Sequence, residues 1–465
     1  MSVAAAEKQP VTGAGPFNGI LTWIDERYPL VATWKTHLSE YYAPKNFNFW
    51  YYFGSLSLFV LVIQIVTGLW LTMDYKADAE KAFASVEHIM REVPWGWWMR
   101  YMHSTGASAL FICVYLHMFR AMLYGSYRKP RELLWIIGML IFLCLMAGSF
   151  FGYLLPWGQM SYWGAQAIVN LYDAIPIIGP DLALWIRGDY VVSDATLNRF
   201  FAFHVAGVPL ALLGLVAVHL VALHEVGSNN PDGIEIKKVK DPKTGIPLDG
   251  IPFHPYYTVK DLFGVAVFLT VYFAIVFFAP ALGGYFLEDN NFVPADPLKT
   301  PPHIQPLWYF TPYYSILRAI TENFMSVIAA GTVGMALLII GSVKSRAVRG
   351  ATAVIAVVLL EGYFTFDPKV WGVVLFGVSV VIFFLLPWLD RSPAKSIRYR
   401  GPIYKVALAL FVIAFLLLGY LGTQPVTAVN TLLAQIATAV YFAFFFLMPW
   451  YTRMDRCKPE PKRVT

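Results

Sequence analysis

Residues 98–127, WMRYMHSTGASALFICVYLHMFRAMLYGSY, are apolar over a length that can cross a bilayer, and they carry two histidines, His103 and His117, fourteen residues apart. A transmembrane helix needs about 20 apolar residues. Fourteen helical steps of about 100° return to within ~40° of the same face, with a rise of about 21 Å. One helix face therefore presents two imidazoles at two membrane depths. Ionisable groups at such depths are costly, so the reading turns on whether these two have partners.

The rest of the chain suits that setting. Its 465 residues are 58% hydrophobic and 14% charged, with mean hydropathy +0.56, which is the composition of a polytopic membrane protein and excludes an ordinary soluble domain. The first 15 residues are polar and small with no short apolar core, so no signal peptide is expected. The net charge of +6 is spread over connecting loops rather than gathered in a nucleic-acid-binding patch, and no nucleic-acid partner is expected. Cys113 and Cys144 sit in apolar segments and Cys457 in a polar tail. They form neither a disulfide framework nor a CxxC metal site, and read as inert thiols.

Apolar segments are expected at about 49–73, 98–123, 133–155, 200–224, 261–286, 370–388, 404–421 and 431–450. Two shorter runs, 325–343 and 351–364, flank KSRAVRG and are expected to form a further hairpin. With ten spans and a cytoplasmic N-terminus, 26 of the 35 Lys and Arg residues fall on the cytoplasmic side, from Lys8 to Arg463. A non-spanning 323–366 region would move Lys344, Arg346 and Arg349 outside, so the positive-inside rule favours the hairpin. The chain then divides into a polar N-terminal region (1–48), a four-helix unit (49–225) with an outer interfacial loop (156–199), a fifth span with its loops (226–322), the inserted hairpin (323–366), and three last spans with a tail (367–465). Both termini are expected in the cytoplasm.

The fourth segment answers the second. FHVAGVPLALLGLVAVHLVALHE, residues 203–225, carries His204 and His219. Both helices run from outside to inside, so His103 matches His204 in depth and His117 matches His219. Two pairs at two depths are what two bis-histidine haems, stacked across the bilayer, require. Unrelated core histidines account for one such residue but poorly for two matched pairs. Gly54 and Gly68, and Gly138 and Gly152, repeat the interval of fourteen. Small residues also serve plain helix packing in membranes, yet the shared period points to a macrocycle lying close to the backbone. Arg100, Arg120 and Arg199 stand near the expected ends as partners for haem propionates.

Seven stretches, RYMHSTGAS, GYLLPWGQMSYWGA, RFFAFH, HEVGSNNPDG, IPFHPYYTVKD, PLWYFTPYYSILRA and LGYLGTQP, give the chain a strong resemblance over nearly its whole length to the cytochrome b family, the di-haem subunits of cytochrome bc complexes, the ubiquinol–cytochrome c reductases. The resemblance implies an all-α polytopic transmembrane bundle, eight core spans plus the extra hairpin, enclosing two b-type haems in a bacterial plasma membrane. It makes His103 and His204 the ligands of an outer, low-potential haem, and His117 and His219 those of an inner, high-potential one. Ubiquinol and ubiquinone are the implied substrates. The outer quinol-oxidation site maps to residues 156–165 and 306–315, with Tyr153, Trp163, Gly164, Pro306, Leu307, Tyr309 and Tyr314. The inner quinone-reduction site maps to His224, Ser228, Lys260 and Asp261, with Trp34 and Asn48 nearby. Tyr153, Tyr314, His224 and Asp261 are the implied catalytic groups. A histidine and a carboxylate on either side of a quinone could deliver two protons, although His224 alone also reads as an interfacial histidine. No CxxCH or Rieske-type motif is present, so a Rieske-type iron–sulfur protein and a membrane-anchored c-type cytochrome are expected as separate subunits of a complex that dimerises. A di-haem anchor of another quinone-linked dehydrogenase and a histidine-based metal or proton transporter are the competing classes. The family motifs argue against the anchor, and a transporter would lack haem, which a reduced-minus-oxidised spectrum separates.

Three departures stand out. Many family members carry glutamate in a Pro-Glu-Trp-Tyr motif, and Leu307 occupies that place here; a nearby carboxylate, Glu288, Asp289 or Asp296, is expected to substitute as proton acceptor, with Tyr153 and water as the other candidates. His204 and His219 are fifteen apart, a rotation of about 60° instead of −40°, with Pro209 between them. A π-type bulge or Pro kink is expected to restore the phase. The hairpin at 323–366 exceeds the common eight spans and reads as a lipid-facing addition or a contact for a further subunit.

Overall fold

A computed structural model describes residues 18–465. Residues 1–17 of the expected N-terminal region, with Lys8, lie outside the described part. Among the described residues, ten helices are long and apolar enough to cross a membrane: Phe49–Leu71, Gly96–Tyr124, Glu132–Leu154, Asp194–Val226, Phe253–Phe278, Glu322–Ser342, Arg346–Thr365, Pro368–Leu389, Pro402–Thr423 and Ala428–Phe446. They are called the first to the tenth helix below. In hydrocarbon only a helix satisfies its own backbone, which is why these runs close into helices. Asn48, Thr321, Ser345, Asp367 and Thr427 cap helix starts with side-chain oxygens that accept from the first-turn N–H groups. The expected interfacial loop contains the short helices Gln159–Asp173 and Gly179–Arg187.

Several helix ends differ from expectation, and the fourth helix begins at Asp194 rather than 200. The fifth starts at Phe253 and stops at Phe278 instead of 286. Pro280 follows, and Gly283 and Gly284 adopt φ of 64° and 89°, so the chain cannot continue helically there. The tenth stops at Phe446 rather than 450, and a separate helix, Met448–Met454, restarts with Pro449 in its first turn.

The first helix packs on the second and the third on the fourth. A continuous apolar core runs from Phe53 and Leu56 through Phe111, Phe142 and Tyr309 to Phe411 and Phe445. Connecting loops gather at two ends of the bundle. At one end a short antiparallel pairing joins Tyr42–Pro44 to Gly250–Pro252. There Arg131 grips Glu235 with two hydrogen bonds of 2.7 and 2.9 Å, and Lys395 reaches the same carboxylate at 2.7 Å. Asp232 accepts from Asn46, Arg398 and Tyr399 at 2.8–2.9 Å. At the other end Tyr75 donates to the Leu155 carbonyl, Gln159 N–H to Val293, and Trp163 to Asp296. The loops that the positive-inside rule assigns to the cytoplasm are thus the ones clustered at the first end.

The most buried ion pair sits at that end. Arg400 and Asp390 meet at 2.5 Å, with both side chains fully buried, and Tyr127 also donates to Asp390 at 2.8 Å. Asp390→Ala strands a buried guanidinium and is expected to lower stability by about 3–5 kcal/mol. A fall in the unfolding temperature of the detergent-solubilised protein checks this, and Asp390→Asn, which retains a hydrogen-bonding oxygen, is expected to fall less.

The sixth and seventh helices form the hairpin, with a turn at 343–345. Ile320, Phe324 and Met325 pack with Tyr363, Trp371 and Leu375. Trp371 donates to the Gly362 carbonyl at 3.1 Å, and the Thr332 and Tyr363 hydroxyls meet at 3.0 Å. Ser342, beside the turn, accepts from Trp450 at 2.8 Å, which sets Lys344 and Arg346 near the C-terminal basic segment. The second arm, expected over 351–364, extends over twenty residues because the Ser345 cap begins it at Arg346.

Candidate functional site: paired histidines and two end clusters

The four spaced histidines lie on two helices, His103 and His117 on the second and His204 and His219 on the fourth. Each faces one of the spaced glycines. A Cβ placed on Gly68 would lie 3.1 Å from His103 Cε1, one on Gly54 3.2 Å from His117, one on Gly138 3.2 Å from His219, and one on Gly152 2.3 Å from His204. The interval of fourteen therefore pairs glycine with histidine on neighbouring helices at two levels. His103 and His204 rings are 6.0 Å apart between centres. His219 lies within electrostatic reach of His117 and Arg120.

The fourth helix is not regular. Phe203–Gly207 is a π turn, and the N–H of Val208 bonds to the Phe203 carbonyl five residues back. Pro209 supplies no N–H, and its ring would crowd the carbonyl four residues earlier in a regular α-turn. The widened turn absorbs the extra residue between His204 and His219, as the spacing required.

Hydrogen bonds orient the imidazoles. Thr67 Oγ1 gives its proton to the Ile63 carbonyl at 2.6 Å, so at 3.0 Å from His103 Nδ1 it accepts. His204 Nδ1 donates to the Gly148 carbonyl at 2.8 Å. Both contacts leave Nε2 with its lone pair, the state a metal ligand needs. His117 Nδ1 instead accepts from Arg120 Nη2 at 3.0 Å. Thr67 and Gly148 were not singled out from sequence; their signal is position, next to Gly68 and one turn before Gly152.

Of the three arginines expected at the ends, Arg100 and Arg120 form no ion pair among the described residues, and Arg120 Nε is buried without a hydrogen-bond partner. Arg199 departs from expectation: it donates to the Trp185 carbonyl and packs on Gly188 in the interfacial loop.

The end containing Tyr153 gathers the predicted outer-site residues. Gly164 leaves a Cβ-sized space 3.5 Å from Tyr153 Cε1. Leu307 and Tyr309 are buried, with Tyr309 stacked on Phe111 at 3.9 Å and bonded through its hydroxyl to Ser149. Tyr314 donates to the Ile304 carbonyl at 3.4 Å beneath the Arg318 guanidinium, and Pro306 is half-buried beside Leu307. Tyr153 donates to Glu288 at 2.9 Å. Burial pushes the Glu288 carboxyl up to about 7, against the opposing Tyr153 bond and its own backbone N–H. Asp289 and Asp296 are exposed.

At the opposite end Tyr41, unremarked in the sequence, packs against His224 at 4.7 Å between ring centres and bonds Ser228 at 3.2 Å. Lys260 donates to the Phe47 carbonyl at 2.7 Å, with its charge over Tyr52 and Tyr257, and Asp261 follows it on the fifth helix. Trp34 meets His254 edge-on at 5.6 Å. Asn48 serves as the cap of the first helix and donates to Tyr124 at 2.8 Å.

Comparison with known proteins agrees with this arrangement. A family model described as Cytochrome b/b6/petB matches residues 38–227. Another, described as Cytochrome b(C-terminal)/b6/petD, matches residues 294–367 and 358–442, two matches that overlap at 358–367. Cytochrome b of Allochromatium vinosum is 57% identical over 450 residues, covering 96% of this chain and 98% of that protein. Cytochrome b of Rickettsia prowazekii is 43% identical, covering 96% and 97%. A chain of a solved structure titled Hyperthermophilic respiratory Complex III superposes with a TM-score of 0.76 at 38% identity, covering 93% of this chain and 98% of that one. With two family models spanning most of its length and relatives matched end to end, the chain belongs to the cytochrome b family.

Proposed function

We propose that this chain is the membrane subunit of a quinol–cytochrome c oxidoreductase that oxidises quinol at the Tyr153 end and returns electrons, through two b haems, to quinone at the His224 end. The observation that carries the reading is the four-fold match of glycine to histidine at two levels. Four missing Cβ atoms beside four imidazoles make room for flat macrocycles, and Arg100 and Arg120, half-buried and without a carboxylate partner among the described residues, suit propionates. His103 and His204 would hold the low-potential haem and His117 and His219 the high-potential one. The haems supply one-electron transfer across the bilayer.

The chain's own residues do the rest. Thr67 and the Gly148 carbonyl fix the tautomers of His103 and His204. Arg120 holds His117 Nδ1 at 3.0 Å; with that nitrogen protonated instead, His117 would offer its Nε2 lone pair to iron, and the Arg120 guanidinium would suit a propionate. Tyr153, Gly164, Leu307, Tyr309 and Tyr314 would line the quinol site, and His224, Ser228, Lys260 and Asp261 the quinone site. His224 and Asp261 would pass protons to the reduced quinone from the cytoplasm. Moving electrons inward works against the inside-negative membrane potential, about 2.3 kcal/mol per charge per 100 mV, so proton release outside and uptake inside conserve that energy. A Rieske-type iron–sulfur protein and a membrane-anchored c-type cytochrome complete the complex, as a dimer in the bacterial plasma membrane with both termini cytoplasmic.

Redox titration of the purified complex tests this. Two b-type components of different midpoint are expected, with His103→Leu removing the lower and His117→Leu the higher. Absence of b-type absorbance in the wild type would end the reading.

A further inference from the structure

Leu307 leaves the quinol-oxidation loop without the carboxylate that many relatives carry there, and it is buried in the apolar core. Quinol oxidation still has to release a proton. Of the three acids in the loop after the fifth helix, only Glu288 is buried, at 6% exposure, and it holds the Tyr153 hydroxyl at 2.9 Å. Tyr153 lies one turn along the third helix from Ser149, whose hydroxyl meets that of Tyr309, two residues after Leu307. The Glu288 side chain therefore reaches, from the other side of the loop, the same helix face that the segment around Leu307 covers.

We propose that Glu288, relayed by Tyr153, is the proton acceptor for quinol oxidation in this chain. This rests on the quinol-oxidising reading above. One quinol O–H bond breaks, its proton goes to the Tyr153 oxygen, and the Tyr153 proton moves to Glu288 Oε2. The other proton and one electron leave to the iron–sulfur partner, and the second electron leaves toward the haems. The titratable groups facing Glu288 are Tyr153 and Tyr309; burial, and then the carboxylate itself, hold the Tyr309 phenol well above its ordinary range, so it stays neutral. With its carboxyl pushed up to about 7, Glu288 is a competent acceptor only above that pH, and oxidation should quicken as pH rises through about 7. Leu287 and Asn291, close to Glu288 in the chain, line a cavity of about 230 Å³ with Glu87, Arg91 and Arg100.

The test uses the whole complex. Glu288→Gln is expected to slow quinol-driven cytochrome c reduction about a hundredfold and to flatten the rise through pH 7, with b-haem absorbance unchanged. Adding Leu307→Glu to Glu288→Gln should recover about tenfold, since it returns a carboxylate to the same helix face. Glu288→Gln with wild-type rate and pH profile overturns the proposal. If Glu288→Gln does not assemble, Tyr153→Phe decides: a slowed reaction with a flattened profile supports the relay, and an unchanged one overturns it. A wild-type complex that cannot reduce cytochrome c from quinol would instead overturn the broader reading.

Discussion

Gly152→Ala is expected to remove one of the two b haems outright, whereas Gly54→Ala, Gly68→Ala and Gly138→Ala keep both at reduced affinity. The four glycines look alike in the sequence, each fourteen from its twin, but their surroundings differ. At Gly54, Gly68 and Gly138 an added methyl would sit 3.1–3.2 Å from an imidazole carbon, a few tenths of an ångström too close. A small ring movement relieves that, so the cost belongs with modest overpacking, about 1–3 kcal/mol, or roughly a 5- to 150-fold loss of haem affinity. At Gly152 the methyl would lie 2.3, 2.7 and 2.8 Å from three atoms of the His204 ring. That ring cannot retreat easily: its Nδ1 is tied to the Gly148 carbonyl and its backbone lies within the π turn. Counting haem per chain and recording reduced-minus-oxidised spectra check this. One haem, with the His117–His219 component retained, is the expected result for Gly152→Ala, and two haems would contradict it.

Much of this arrangement could be read in the chain beforehand because a membrane restricts the choices. Helices must satisfy their own backbone there, so hydropathy counts them, and an interval of fourteen translates directly into one face at two depths. The extra residue between His204 and His219 forced an irregularity, and it is found next to Pro209. What could not be read depends on contacts distant in sequence. Glu288, Asp289 and Asp296 are equal candidates until folding buries one against Tyr153, 135 residues away. Arg199 looked like a propionate partner by position, but its side chain turns to the Trp185 carbonyl. Asn48, placed near the inner quinone site by sequence, also caps the first helix and holds Tyr124, which only the fold reveals. The fifth helix ended early because one proline and two left-handed glycines outweighed an apolar run that hydropathy alone would extend.

Deleting Ala206 is expected to leave both haems in place, while inserting one alanine between Leu212 and Leu213 is expected to lose one. The π turn at Phe203–Gly207 holds one residue more than an α-turn, without changing the phase of the helix on either side. Removing a residue inside it lets the segment close as a regular helix with His204 and His219 fourteen apart. That is the interval of His103 and His117, a rotation of about −40° and a rise of about 21 Å. Pro209 still lacks its N–H, so the shortened helix carries some strain, expected as a lower unfolding temperature with haem content intact. The insertion acts on a regular stretch with no bulge to absorb it. It turns His219 by about 100° relative to His204, so the fourth helix can keep His204 at Gly152 or His219 at Gly138, but not both. Haem stoichiometry separates the two outcomes: two per chain for the deletion and one for the insertion. A deletion that loses a haem would mean that the π turn shapes the His204 site itself, rather than only restoring the phase between the two histidines.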